Sequence, residues 1–161
     1  MRVDLRQGDC LELMPTIPAG SVDMVLCDLP YGTTQNKWDS IIPLDKLWSE
    51  YRRICRGAIV LTASQPFAAA LIMSNLPMFK YEWVWVKTKI TGVLNAKKMP
   101  VRKHELILFF AEKQTTYNAQ GLVAKGTVTK QGGNSDNYGA RSSDAYVQEW
   151  TNWPRDVLEL S

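Results

Sequence analysis

The chain has 161 residues, enough for one domain with a substantial core and too few for two. Hydrophobic residues make up 45% and charged residues 22%, a globular balance that excludes a disordered chain. The formal net charge is only +3, and the longest apolar runs, "AIVL" and "FAAALIM", fall far short of the roughly 20 residues that span a bilayer.

In chain order, "RVDLRQGD" reads as a short strand closed by a Gly-Asp turn, and "CLELMPTIPAG" as a brief helical turn broken by Pro15 and Pro18. "SVDMVLCD" carries a continuous apolar run, the pattern of a strand buried in a parallel sheet. "IPLDKLWSEYRRICRG" predicts a helix: Leu44, Leu47, Trp48, Tyr51 and Ile54 share one face, and Gly57 stops it. "AIVLTAS" is a second buried strand and "QPFAAALIMSNL" a second helix, with proline near its first turn. "FKYEWVWVK" alternates like a strand, with Trp83 and Trp85 on one face and read as core, and "HELILFFAE" is another buried strand. The order strand-helix-strand-helix-strand-strand is an α/β pattern.

After Glu112 the texture changes. "GLVAKGTVTKQGGNSDNYGARSSDAYVQEW" is polar and glycine-rich with no clear period, and reads as a flexible surface insertion. "WPRDVLELS" recovers one short apolar strand. The expected division is an α/β core over 1–111, an insert over 112–150 and a return to the core over 151–161. Cys10, Cys27 and Cys55 form no CxxC and cannot all pair, which predicts reduced, cytosolic thiols. With His104 the single histidine, no metal site is expected, and "MRVDLRQGDC" shows no basic-then-apolar leader.

Charge is unevenly placed. From Lys87 to Lys103 the chain carries Lys87, Lys89, Lys97, Lys98, Arg102 and Lys103 and no acidic residue. A charge run is commonly a solvated face. This one contains Gly92 and Pro100 and follows "YEWVWV", so a basic loop hung from a rigid strand and touching a nucleic-acid backbone is the competing reading.

One stretch changes character within a residue. In "VLCDLPYGTTQNKWDS" the apolar Val25-Leu26-Cys27 runs straight into Asp28, Pro30 and Tyr31. A strand-to-loop turn would use Asp28 as a turn former and Pro30 as punctuation. A pocket would aim a carboxylate, a backbone carbonyl and an aromatic face at one ligand. In open α/β sheets ligands bind beyond the carboxyl ends of strands, and Asp9, Asp28 and the "TASQP" turn all fall at such ends.

"DLPY" at 28–31 matches three of the four positions of D/N-P-P-Y/F/W, and with it the chain resembles the DNA amino-methyltransferases. These enzymes transfer a methyl group from S-adenosylmethionine to adenine N6 or cytosine N4. "GDCLELMPTIPAGSVDMVLCDLPYG" resembles the opening of their permuted branch, whose catalytic motif lies near the N-terminus. "GAIVLTASQPF", "YEWVWVK" and "MPVRKHELILFF" resemble the segments that follow, particularly in phage-type enzymes, so the resemblance covers nearly the whole chain. It implies a partial Rossmann-like methyltransferase sheet with a polar target-recognition insert. It also implies DNA as partner, adenine N6 favoured as target, and a cytoplasmic, bacterial or phage-encoded protein.

An exocyclic amine is a poor nucleophile because its lone pair is delocalised into the ring. Two acceptors on its N–H groups favour a pyramidal nitrogen, and such preorganised dipoles stabilise developing charge. By the resemblance, the Asp28 carboxylate and the main-chain carbonyl of Leu29 are those acceptors. Tyr31 would stack on a base rotated out of the duplex, and Pro30 would fix the backbone between them. Leu29 departs from the family's proline, which keeps the carbonyl and costs the turn some rigidity. Gly8-Asp9 resembles the position whose acid lies near the cofactor's adenosine, so Asp9, Cys10 and Asp28 are the expected cofactor-side residues. Lys37 and Trp38, in the loop after Tyr31, are placed to touch the flipped base or the backbone, although an aromatic there is as often a lid anchor.

The family's glycine-rich F-x-G-x-G loop has no counterpart, since Gly132-Gly133 lies in the polar insert with no preceding strand. In the permuted branch that loop follows the insert. The cofactor site is therefore expected to be incomplete, and the chain to be the front part of a longer enzyme, a split-enzyme subunit or the product of a decayed gene. An RNA adenine methyltransferase and a non-catalytic nucleic-acid-binding subunit are the alternatives. The family's strand order, 3-2-1-4-5-7-6, makes "RVDLRQGD" strand 3 and "SVDMVLCD" strand 4, with strands 1 and 2 absent between them. Strand 4 then has an open edge, to be closed by residues 2–7, by a second copy in a homodimer or by a complementing subunit.

Overall fold

The apolar stripe of residues 44–54 forms helix α2, Leu44–Ile54, in a computed structural model that describes residues 3–130 and 145–159. Leu47, Trp48, Tyr51 and Ile54 are buried along it, each contributing about 2 kcal/mol over exposure. Asp45 in the first turn and Arg52 and Arg53 in the last complement the helix dipole. Before α2 come α1 (Cys10–Leu13), a 3-10 turn (Met14–Thr16) and strand β1 (Val22–Asp28). After it come β2 (Cys55–Ala63), α3 (Phe67–Ser74), β3 (Phe79–Thr91), a second 3-10 turn (Val93–Asn95) and β4 (Arg102–Phe110). β5 (Val123–Lys130), β6 (Ala145–Thr151) and β7 (Val157–Glu159) complete the described elements.

This is an α/β fold on a mixed five-stranded sheet of order β1-β2-β4-β3-β7. β1 and β2 run parallel, β4 is antiparallel to both β2 and β3, and β7 is parallel to β3. Ile59, Leu61 and Ala63 of β2 align with Phe110, Leu108 and Leu106 of β4 and meet α2 and α3 in one buried cluster. Polar atoms beneath the helices are satisfied: Trp48 Nε1 donates to Ser74 Oγ and Arg52 Nη2 to Asn75 Oδ1, both at 2.8 Å. Arg53 ties the N-terminal turn down, donating to the carbonyls of Met14 at 2.7 Å and Ile17 at 2.8 Å. On the opposite face of the sheet Tyr81 stacks on Phe109, with centroids 4.6 Å apart, and Trp83 meets both rings edge-on. The tryptophans of β3 are thus half-buried on the second face rather than in the helix-covered core.

Three local expectations change. Residues 3–8 form no strand and are exposed, Val3 and Leu5 included, so they do not close the edge of β1. Among the described residues β1 pairs with β2 alone, and its burial alternates instead of being continuous, with Met24 and Leu26 exposed. The buried cluster contains helices α2 and α3 on one face of the sheet only, so an apolar run there did not mean burial on both faces. Gly57 does not stop α2, which ends at Ile54. It lies inside β2 at a register shift opposite Asp23, where a Cβ would stand 2.0 Å from the Asp23 carbonyl oxygen. Glycine is there to let two backbones approach.

The chain divides into two compact units, Met1–Thr115 with Asp156–Ser161, and Thr116–Arg155. The second unit is built on the antiparallel β5–β6 hairpin, in which Val123 faces Thr151 and Val128 faces Val147. Asn152, at φ 60°, donates its Nδ2 to the Gly121 carbonyl at 2.7 Å and joins the hairpin's two ends. The polar segment therefore contains strands that its composition did not announce. Gly132-Gly133, and the flexibility expected of 131–144, lie outside the described residues.

Candidate functional site

β1 and β2 end side by side, and their register sets Asp28 opposite Thr62. The Thr62 hydroxyl donates to Asp28 Oδ1, and the Tyr31 hydroxyl lies 2.8 Å from both that oxygen and Thr62 Oγ1. Two hydroxyl protons serve these three close oxygen pairs: Thr62 donates to Asp28 Oδ1, and the Tyr31 hydroxyl donates to Asp28 Oδ1 or to Thr62 Oγ1, one at a time. Leu29, 5% exposed, drives the strand exit into the core, while Asp28 itself is exposed and Pro30 half-buried. The Tyr31 ring stacks on Phe67 at the start of α3, centroids 5.5 Å apart and planes 24° from parallel. Burial, reinforced by the charges of Asp28 and Glu105 and only partly opposed by the Thr62 hydrogen bond, pushes the Tyr31 phenol far up. Tyr31 is thus a neutral donor throughout the physiological range.

The loop after Tyr31 has an anchor that sequence reasoning missed. Asp39, 8% exposed, accepts the backbone N–H groups of Gly32 at 2.9 Å, Thr33 at 2.9 Å and Thr34 at 2.6 Å. Burial alone would raise its carboxyl, but the Thr34 side chain and these backbone donors outweigh it and hold the group below its ordinary value. Gly32, at φ 67°, supplies the left-handed turn that brings its N–H round to the carboxylate. A carboxylate at the end of "YGTTQNKWD", five to seven residues after three consecutive turn N–H groups, was the available signal. Next to it Trp38 stands 72% exposed, with Lys37 exposed beside it.

Asp9 caps α1: its Oδ1 accepts the Leu11 N–H at 2.8 Å. Cys10 follows as the first helical residue and is half-buried against the core. Its thiol is pushed up by burial first, then by the Asp9 carboxylate and the nearby Cys27. Tyr51, deeper under the sheet, is raised by burial and by the same two cysteines. One oxygen of Asp9 thus serves its own helix. Asp9 stands at the start of α1 and not at a strand end, while Asp28 ends β1.

The expected basic loop is the far end of the β3–β4 hairpin. Lys89, Lys97, Lys98, Arg102 and Lys103 are exposed on it. Lys87 differs: its Nζ donates to Glu105 Oε1 at 2.6 Å and both side chains are about three-quarters buried. A cross-strand acid absent from the local sequence run neutralises it, so it is not a free cation. Because β4 is antiparallel to β2, the hairpin tip lies at the sheet end where β1 and β2 terminate, the end that carries Asp28 and Tyr31. Among the described residues no group of three His, Cys, Asp or Glu side chains could hold a metal ion, and no helix is long and apolar enough to cross a membrane.

No family model and no curated protein matches the chain. Among solved structures it is similar to the PvuII cytosine-N4-specific DNA methyltransferase, with a TM-score of 0.48 and 11% identity over 67% of this chain and 48% of that one. It is similar to the M1.HpyAVI–SAM complex, with a TM-score of 0.49 and 16% identity over 83% of this chain and 62% of that one. A candidate DNA modification methylase from Thermus thermophilus, TTHA0409, gives a TM-score of 0.48 and 20% identity over 70% of this chain and 54% of that one. The chain thus spans between about half and three-fifths of the length of the structures it matches.

Proposed function

We propose that the chain carries the catalytic face of a DNA amino-methyltransferase, with the exocyclic amine of a flipped base, adenine N6 in first place, as the group that receives the methyl. The observation that carries this reading is the corner at the end of β1, where Asp28, the Leu29 backbone and Tyr31 follow one another. Asp28 accepts one amine N–H and the Leu29 carbonyl accepts the other. Thr62 and Tyr31 hold the carboxylate in place from one side, which fixes its direction before substrate arrives. Tyr31 has one ring face on Phe67 and offers the other to the base. S-adenosylmethionine would supply the methyl group. Asp9 and Cys10 fit one edge of that cofactor, and the remainder of its site is not supplied by the residues named.

The test is methyl transfer from labelled S-adenosylmethionine to mixed-sequence DNA, and to RNA of the same sequence, by the chain and by Asp28→Ala. Expected, in any active form of the protein, alone or with a complementing subunit, is transfer to DNA that Asp28→Ala abolishes while DNA binding stays near wild type, because the carboxylate holds an amine and touches no phosphate. Transfer by the variant at the wild-type rate removes Asp28 from the chemistry. DNA binding with neither transfer nor binding of S-adenosylmethionine in calorimetry makes the chain a non-catalytic binding subunit.

A further inference from the structure

The tip of the β3–β4 hairpin is more than a cluster of cations. From residue 88 to 104 the chain holds five lysines and arginines and no acid. Among them Val93 is 59% exposed, Leu94 101% and Met99 50%. Exposed apolar side chains occur elsewhere on the chain, such as Leu5 and Met73, but here three stand together among the cations at the end of one arm. The arm is also ordered by its own backbone: Asn95 N–H donates to Gly92 O at 2.9 Å, Ala96 to Val93 O at 3.0 Å and Lys98 to Asn95 O at 2.8 Å. Gly92, at φ 81°, sets the reversal that points the Val93-Leu94 turn outward.

We infer that this tip is a wedge for double-stranded DNA, in which Leu94 enters a base step while Lys97, Lys98 and Arg102 hold the flanking phosphates. The inference rests on the reading of the chain as a DNA-handling protein and adds to it the residue that opens the duplex. Apolar wedges pushed between base steps unstack them, and the bound cations hold the distorted backbone. Net positive charge without acids fits a polyanion, and the rigid turn fits insertion better than a loop that must order on contact. The tip starts about 17 Å beyond the row of Asp28 and Thr62, five residues along β4 from Ile107, so it meets the duplex a few base pairs from the flipped base.

Fluorescence anisotropy with the full chain, without S-adenosylmethionine, tests this on a mixed-sequence duplex and on the same duplex carrying one abasic site. A wedge binds the pre-opened duplex about tenfold more tightly, because part of the unstacking is already done. Leu94→Ser should erase that preference and leave the salt slope unchanged. The residue is fully exposed, so the variant folds as the parent does. Asp28→Ala should keep the preference, which separates failure here from failure of methyl transfer. Equal affinity of the wild type for both duplexes, or a preference that survives Leu94→Ser, overturns the wedge. Binding to phosphatidylglycerol vesicles with no binding to either duplex overturns it in favour of a lipid surface.

Discussion

Gly57→Ala should unseat the strand that carries Asp28. Local preference argues for the substitution, since alanine in a strand interior is favoured over glycine by about 0.5–1 kcal/mol. The contact argues against it: the new Cβ would lie 2.0 Å from the Asp23 carbonyl oxygen, where 3.0 Å is the practical limit. Both partners are main chain, so the relief must come from parting β1 and β2 by about 1 Å. That is a fifth of the normal spacing of about 4.8 Å between hydrogen-bonded strands. Overpacking of this kind costs about 1–3 kcal/mol, and two immobile backbones place it near the top of that range. The net loss is about 2 kcal/mol, which shifts a urea midpoint down by about 1 M with little change in slope. The same strain travels five residues along β1 to Asp28 and loosens its contact with Thr62. A midpoint equal to or above wild type would refute the close approach at this register shift.

Two further outcomes follow from the site and the arm. Asp39 has a folded-state pKa below its unfolded one, so its contribution is full above about pH 4 and disappears as pH falls through the lowered value. Asp39→Asn should therefore flatten the acid limb of the stability profile, and parallel acid limbs for variant and parent would contradict the clamp. Neutralising Lys97, Lys98, Arg102 and Lys103 should weaken DNA binding across sequences and reduce its salt slope, whereas Lys87→Ala should lower stability by about 1 kcal/mol and leave the slope alone. An unchanged slope in the fourfold variant would return the run to a solvated face.

What the sequence made legible was whatever has a period. The α2 stripe, the buried strands β2 and β4 and the abrupt end of β1 at Asp28 were all visible, because burial on one face leaves a repeat in the letters. Strand pairing leaves none. "RVDLRQGD" alternates like a strand, yet no ladder forms at residues 3–8. β5 and β6 stayed hidden because their valines face solvent. At the site, Asp28 and Tyr31 could be named from the tetrapeptide, but their shared partner Thr62 is 34 residues away on another strand. Asp39 hid for the opposite reason: its partners are its own loop, and a carboxylate five to seven residues after its N–H partners is a weak signal. The ion pair of Lys87 was not legible because its acid lies across a hairpin.

The hairpin of β3 and β4 also sets an order of assembly. Its two strands are neighbours in sequence and pair from Phe79 and Phe110 up to Thr91 and Arg102, so it closes a short loop. β1 and β2 are parallel, pair with α2 between them, and must wait for that crossover. We expect the arm and its docking to β2 to form in the folding transition state, and the Asp28–Thr62 contact to be made on the downhill side. Ile107→Val should then slow refolding, while Val25→Ala should speed unfolding and leave refolding nearly unchanged. Equal partition of both effects between the two rates would show that the sheet forms all at once.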